Sequence, residues 1–209
     1  MEFTYEQQTK QSPLETYEWD NIWWDDPELQ KKRVLLIGDS ISCGYCRRVN
    51  LCLKEEIFAD GFGTSKGIDN PKFLEGLRYV KSQQNRCDLI HINNGLHGWH
   101  LSEEEYEKEY RKVLKEIMEL YPDTPVVIAL TTPLQPSETE SDENRNGRVL
   151  KRNEVARRLA GELRLEVNAL YAPLEHHPEL FSQDGVHLIP EGYELLAKQI
   201  ADVIRTALQ

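Results

Sequence analysis

Apolar residues in this chain fall into short runs set between longer stretches of helical spacing. Val34-Leu35-Leu36-Ile37 follows the basic triplet Lys31-Lys32-Arg33 and stops at Gly38. A run that short, apolar at every position, reads as a strand buried on both faces of a parallel sheet. Ile57-Phe58-Ala59, Asp88 to Asn93, Val126 to Thr131 and Leu165 to Ala169 repeat the pattern. Helices are predicted between them. The first runs from Gly44 to Glu55, and the second from Pro71 to Gln83 with proline in its first turn. Ser102 to Tyr121 opens on the capping box Ser102-Glu103-Glu104-Glu105 and carries Val113, Ile117 and Leu120 at helical spacing. Val149 to Leu163 follows Val155, Leu159 and Leu163, and Pro190 to Leu208 turns Leu195, Leu196, Ile200 and Ile204 inward. Strands alternating with helices imply βαβ units, hence a three-layer α/β/α sandwich around a parallel sheet of about five strands.

Residues 1–32 break the pattern. They are polar and acidic, yet hold Trp19, Trp23 and Trp24, whose rings are costly to leave in water. They are expected to form a strap packed on a single α/β domain spanning residues 33–209. Thr132 to Arg145 is a polar loop long enough to be a flap.

Composition removes several function classes. The apolar runs are far too short to span a bilayer. The start Met1-Glu2-Phe3-Thr4-Tyr5-Glu6 has neither a basic end nor an apolar core, so no secretory signal and a cytoplasmic location are expected. A net charge of -11 argues against nucleic acid or an anionic membrane as partner. Cys43-x-x-Cys46 has no second pair and no histidine pair at finger spacing, so Cys43, Cys46, Cys52 and Cys87 read as reduced thiols and no metal is expected.

Candidate chemistry gathers at strand ends. Ser40 follows the first strand, where open parallel sheets bind ligands and where a helix start favours negative charge. A serine there is either a helix cap or a nucleophile, and a nucleophile needs an oriented base. Asp184-Gly185-Val186-His187, ahead of the last helix, has the spacing for a carboxylate to hold an imidazole Nδ1–H and leave Nε2 facing a serine. His91 lies within a strand and reads as a core histidine. Three glycines between Gly61 and Gly67 mark backbone that needs positive φ or close approach to a ligand.

Together these blocks resemble the GDSL, or SGNH, hydrolase family. Gly38-Asp39-Ser40 matches its first block, Gly63 the glycine of its second, and Asp184-Gly185-Val186-His187 its fifth. The blocks run in family order from Val34 to the C-terminal helix, leaving only the strap outside. The resemblance implies a flavodoxin-like sandwich and an acyl-ester hydrolase without a cofactor. In it Ser40 is the nucleophile, His187 the general base and acid, and Asp184 its orienter. The backbone N–H groups of Ser40 and Gly63 would line the oxyanion hole. The third block departs: where the family reads Gly-x-Asn-Asp, this chain reads Gly95-Leu96-His97-Gly98, similar to a subgroup with Gly-Leu-His. A neutral imidazole donates one N–H, so His97 is the favoured third donor, with Asn94 as the alternative.

The expected substrate rim comprises Tyr45, Arg47, Thr64 to Lys66, Trp99, His100, the Thr132 to Arg145 loop, His176 and His177. Aromatic rings among polar groups suit a sugar face, and no long apolar run is present to sheath a fatty chain. Hydrolysis of short acyl, above all acetyl, esters of a carbohydrate or other small polar alcohol is the leading expectation. A lysophospholipase or thioesterase is the rival within enzymes. A non-catalytic sugar- or acyl-binding module with a degenerate third block is the rival outside them.

Overall fold

The computed structural model describes residues 17–27, 30–54, 56–136 and 144–209. Residues 1–16 of the strap and 137–143 of the polar loop lie outside them. The elements run β1 (Asp20–Trp23), β2 (Lys32–Gly38), α1 (Ser40–Leu53), β3 (Ile57–Thr64), α2 (Pro71–Gln83), β4 (Leu89–Ile92) and α3 (Glu103–Leu120). They continue with β5 (Val126–Ala129), α4 (Arg145–Leu163), β6 (Glu166–Asn168) and α5 (Pro190–Ala207). The sheet has six strands in the order β1-β3-β2-β4-β5-β6. Five of them are parallel, as the apolar runs predict, and β1 adds an antiparallel edge from within the strap.

Alternation along β2 divides the core. Val34 and Leu36 pack toward α1 and α5, while Leu35 and Ile37 pack toward α2 and α3. All four are 0% exposed, and burial of each such side chain contributes roughly 1.5–3 kcal/mol. In α5, Leu196, Ile200 and Ile204 face in as expected. Leu195 does not; it is 36% exposed, one residue off the apolar stripe. No helix among the described residues is long and apolar enough to cross a membrane.

The order turns at β2, which has β3 on one side and β4 on the other. The chain leaving β2 enters α1, and the chain leaving β4 enters a loop toward α3, so a crevice opens beyond the end of β2.

β3 is longer than the apolar run Ile57-Phe58-Ala59 predicts. Asp60-Gly61-Phe62-Gly63 continues the strand rather than turning, and neither glycine has positive φ. These glycines are needed for close approach by the protein itself. A Cβ on Gly61 would fall inside the Trp23 indole, and one on Gly63 would meet the Cys43 sulfur. Trp23 donates from Nε1 to the Ala59 carbonyl at 3.3 Å. Further polar contacts fasten the strap. Asp20 accepts from Thr64 Oγ1 at 2.6 Å and, with both oxygens, from the buried Lys66 Nζ at 2.9 Å. The buried Arg33 guanidinium pairs with Asp60 and also reaches the Asp25 carbonyl.

Gly61→Ala tests this docking. Overpacking of this kind costs about 1–3 kcal/mol, read as a lower melting temperature. Trp23→Ala/Gly61→Ala should melt no lower than Trp23→Ala alone, because the clash has gone. Equal penalties for Gly61→Ala in both backgrounds would show that the ring does not lie on that glycine.

Candidate functional site

The local sequence leaves Ser40 uncommitted. Asp39, not Ser40, caps α1: its Oδ1 accepts the Ile41 N–H at 2.9 Å. Ser40 is therefore the first residue of the helix, and the helix starts four residues earlier than its apolar spacing predicts. The capping duty being met by its neighbour, the Ser40 hydroxyl donates to His187 Nε2 at 2.9 Å. Its own N–H belongs to the first turn, where the helix supplies no carbonyl partner.

His187 comes from a tight loop closed by an antiparallel bridge between Phe181 and Leu188. Gly185 turns the loop at φ +70, a conformation only glycine takes freely. A Cβ there would also press within 2.5 Å of the Gln135 carbonyl, while the Gly185 carbonyl accepts the Gln135 N–H at 2.8 Å. Inside the turn Asp184 Oδ1 accepts from Ser182 Oγ and from the N–H groups of Val186 and His187, at 2.8–2.9 Å. That leaves Oδ2 to accept from His187 Nδ1 at 2.6 Å. Partial burial works to raise the Asp184 pKa. The hydrogen bonds from His187, Val186 and Ser182 outweigh it and hold the carboxyl well below the ordinary range. An ionised Asp184 keeps the proton on Nδ1, so Nε2 is the acceptor that faces Ser40.

The loop after β4 runs from Asn93 to Leu101 and is buried through Gly98. Asn93 spends its amide on the Ala129 carbonyl and Thr131 Oγ1. Asn94 donates from Nδ2 to the Lys66 carbonyl at 3.2 Å, which ties this loop to the one after β3. One of the two N–H groups of the Asn94 amide is thereby taken. His97 is 4% exposed in the same loop.

Gly63 does not sit as expected. Ser65 donates its N–H to the Trp19 carbonyl, and alternate residues of a strand face the same neighbour. The Gly63 N–H therefore faces Asn21 of β1, its register partner, and not Ser40. The loop beyond β3 comes closer to the third block. Gly67 packs on Gly98 so tightly that a Cβ would lie 2.8 Å from the Gly98 Cα.

The expected rim is mostly inside the protein. Tyr45 is 1% exposed and meets His91 edge-on, because its helix face points into the core. Trp99 is only partly exposed, and the guanidinium groups of Arg145, Arg148 and Arg152 lie over its ring at 4.6–5.3 Å. Thr64, Ser65 and Lys66 are buried under the strap. His100 Nε2 pairs with Asp69 at 2.7 Å. His176 and Arg47 are exposed, and His177 pairs with Glu179 on its own turn. His91 is the core histidine its strand position predicts: burial lowers its pKa to about 4, and its Nε2 accepts from Asn168 Nδ2. Burial pushes the Cys43 thiol up to about 12, as fits a packed, reduced side chain.

Arg152 was not among the candidates. It is 2% exposed and donates to three carbonyls of the His97 loop. A signal was there to read: Val149, Arg152, Asn153 and Ala156 share one face of α4, so two polar residues interrupt an apolar stripe.

The model of the GDSL-like lipase/acylhydrolase family matches residues 36–195. No curated protein matches the chain in sequence. Among solved structures, a carbohydrate acetylesterase from Sinorhizobium meliloti is similar with TM-score 0.69 and 18% identity, over 84% of this chain and 99% of its own. An acetyl xylan esterase superposes with TM-score 0.66 and 20% identity, over 82% and 99%. The native aryl esterase of M. smegmatis superposes with TM-score 0.71 and 15% identity, over 85% and 100%.

The Asp184 carboxyl makes a pH prediction. Its folded pKa lies below the unfolded value of about 3.9, so its ionised form adds stability above that pH and loses it as pH falls. Asp184→Asn should lower the melting temperature at neutral pH. The gap from the parent should close between roughly pH 5 and pH 2. A gap that stays constant over that range would contradict the shift.

Proposed function

We propose, for a chain that belongs to the GDSL-like lipase/acylhydrolase family and is an ester hydrolase, that Ser40, His187 and Asp184 carry the reaction through an acyl-enzyme. The observation that carries this reading is the unbroken line from Ser40 Oγ to His187 Nε2 and from Nδ1 to Asp184 Oδ2. Ser40 Oγ attacks the ester carbonyl carbon while its proton passes to His187 Nε2. Asp184 stabilises the imidazolium that results. The carbonyl electrons move onto oxygen, which is received by the Ser40 N–H at the start of α1, the Gly67 N–H and the His97 imidazole. Collapse of this intermediate expels the alcohol, protonated by His187. Water then enters, gives a proton to His187, attacks the acyl carbon and releases the acid with Ser40 restored.

Gly67 takes the second backbone position in place of Gly63. It is the residue of the β3 loop that packs on Gly98, beside His97. His97 is preferred to Asn94 because it keeps the family's spacing from Gly95.

The acyl group is short and the alcohol polar, with acetylated carbohydrate the first choice. Two similar structures, of a carbohydrate acetylesterase and an acetyl xylan esterase, support this choice. So does the distribution of apolar surface. Among the described residues, the exposed large apolar side chains are Tyr17, Leu51, Tyr79, Met118, Leu150 and Leu195. Tyr17 is in the strap and the others are on helices, so none stands in a loop following β2, β3, β4 or β5. A long acyl chain gains about 0.8 kcal/mol per methylene only where apolar wall receives it.

Labelling by a fluorophosphonate probe, with turnover of aryl acetate, tests the chemistry. Ser40→Ala should abolish both, with a loss in kcat on the order of 10⁶. Labelling that persists in the variant, or a parent without turnover, would move the chain to the binding-module reading. For the substrate, kcat/KM should be higher for acetyl than for octanoyl aryl esters. The reverse order would favour a lysophospholipase or thioesterase.

A further inference from the structure

We propose that Arg152 is the positioning residue that sets His97 for the oxyanion, an inference that rests on the reading of His97 as a donor. Gly95 to Gly98 belong to neither helix nor strand, so their carbonyls have no ladder to satisfy them, although that of Gly98 also accepts the Leu101 N–H in a turn. One side chain takes three of them. Arg152 Nη1 donates to the carbonyls of Gly95 at 3.0 Å and His97 at 2.7 Å, and Nη2 donates to that of Gly98 at 2.7 Å. The guanidinium is held between two rings, 4.6 Å from the centroids of both Trp99 and Tyr106. Tyr106 in turn donates its hydroxyl to the Asn94 carbonyl. The carbonyls on both sides of Leu96 are thus bound from one direction, and the Cα of His97 has little freedom left.

Only arginine does this. Its planar fork directs several N–H groups into fixed positions, whereas a lysine ammonium is a compact point charge on a flexible stem. Burying a full charge is costly, and apolar packing in the same volume is often as stable. Its use here is therefore not explained by stability alone. It is explained by what the loop carries: an oxyanion donor must stand where charge develops, and a misplacement of about 1 Å can cost on the order of 10² in rate. The next residue supports the same assignment. Asn153 bonds both the N–H and the carbonyl of Thr131, so adjacent side chains of α4 fix the chain after β4 and after β5. Thr131 also lies against Gly95, where a Cβ would meet its hydroxyl.

The experiment is a double-mutant cycle on kcat and KM for an aryl acetate, with melting temperatures, in the parent, Arg152→Lys, His97→Ala and the double variant. Arg152→Lys should fold and lose about as much kcat as His97→Ala, on the order of 10²-fold, with KM little changed. The double variant should be no slower than the slower single. Full kcat in Arg152→Lys overturns the proposal, as does a double variant whose losses multiply. A silent His97→Ala beside a slow Arg152→Lys removes the reading of His97 and the proposal with it. Losses that multiply while His97→Ala is slow remove only the proposal. If Arg152→Lys does not fold, Trp99→Leu takes its place in the cycle, since it removes one wall of the guanidinium and leaves the charge. It should then show the same kcat loss, again absorbed by His97→Ala, and unchanged kcat would overturn the proposal.

Discussion

A parallel strand that ends beneath a buried loop leaves N–H and C=O groups that neither the sheet nor water can satisfy. The upper rim of this protein answers that constraint after β2, β3, β4 and β5 with polar side chains, some from the same turn and some from far along the chain. Asp39 takes the Ile41 N–H in the first turn of α1 after β2. Asn94 takes the Lys66 carbonyl after β3. Arg152 takes three carbonyls after β4, and Asn153 takes both groups of Thr131 after β5. Asp184 does the same for the loop before α5. Each of these side chains is thereby fixed itself, so satisfying the backbone and pre-positioning a reactive group are accomplished by the same bonds.

Ser40 and His187 show how this couples to chemistry. Asp39 relieves Ser40 of capping, and Asp184 Oδ1 organises its turn so that Oδ2 is left for the imidazole. The His187 side chain is 43% exposed and the Asp184 side chain 40%, so the pair faces solvent on one side. Geometry rather than deep burial then holds the carboxylate ionised, through donors supplied by its own loop.

The parallel core was legible because its cause is local. A run such as Val34 to Ile37, short, part β-branched and stopped by Gly38, reads as a buried strand, and a capping box or an N-terminal proline marks a helix start. Asp184 and His187 were legible for the same reason, since they are three residues apart and meet within one turn. What escaped depends on partners far along the chain. Gly61 and Gly63 look like turn glycines until Trp23 and Cys43 are seen to press on them. Tyr45 and Trp99 look like rim aromatics until α1 turns one inward and α4 covers the other with arginine. Arg152 lies more than fifty residues from the carbonyls it binds; the polar break in the apolar stripe of α4 marks it as buried but does not name its partners.

The edge strand carries the last consequence. One N–H cannot both close a sheet edge and receive an oxyanion. By pairing with β3, the strap turns the Gly63 amide to Asn21, and the proposed mechanism accordingly takes its second backbone donor from beyond the paired segment. The chain there is then the part that has to be held still. Asp20 holds it from the strap side, through Thr64 and Lys66, and Asn94 holds the Lys66 carbonyl from the other. Gly67 lies between these two anchors and Gly98. The strap therefore does more than shelter tryptophans from water: it pairs the end of β3 and, through Asp20, supplies bonds that hold the chain leading to Gly67, the residue proposed to receive the oxyanion.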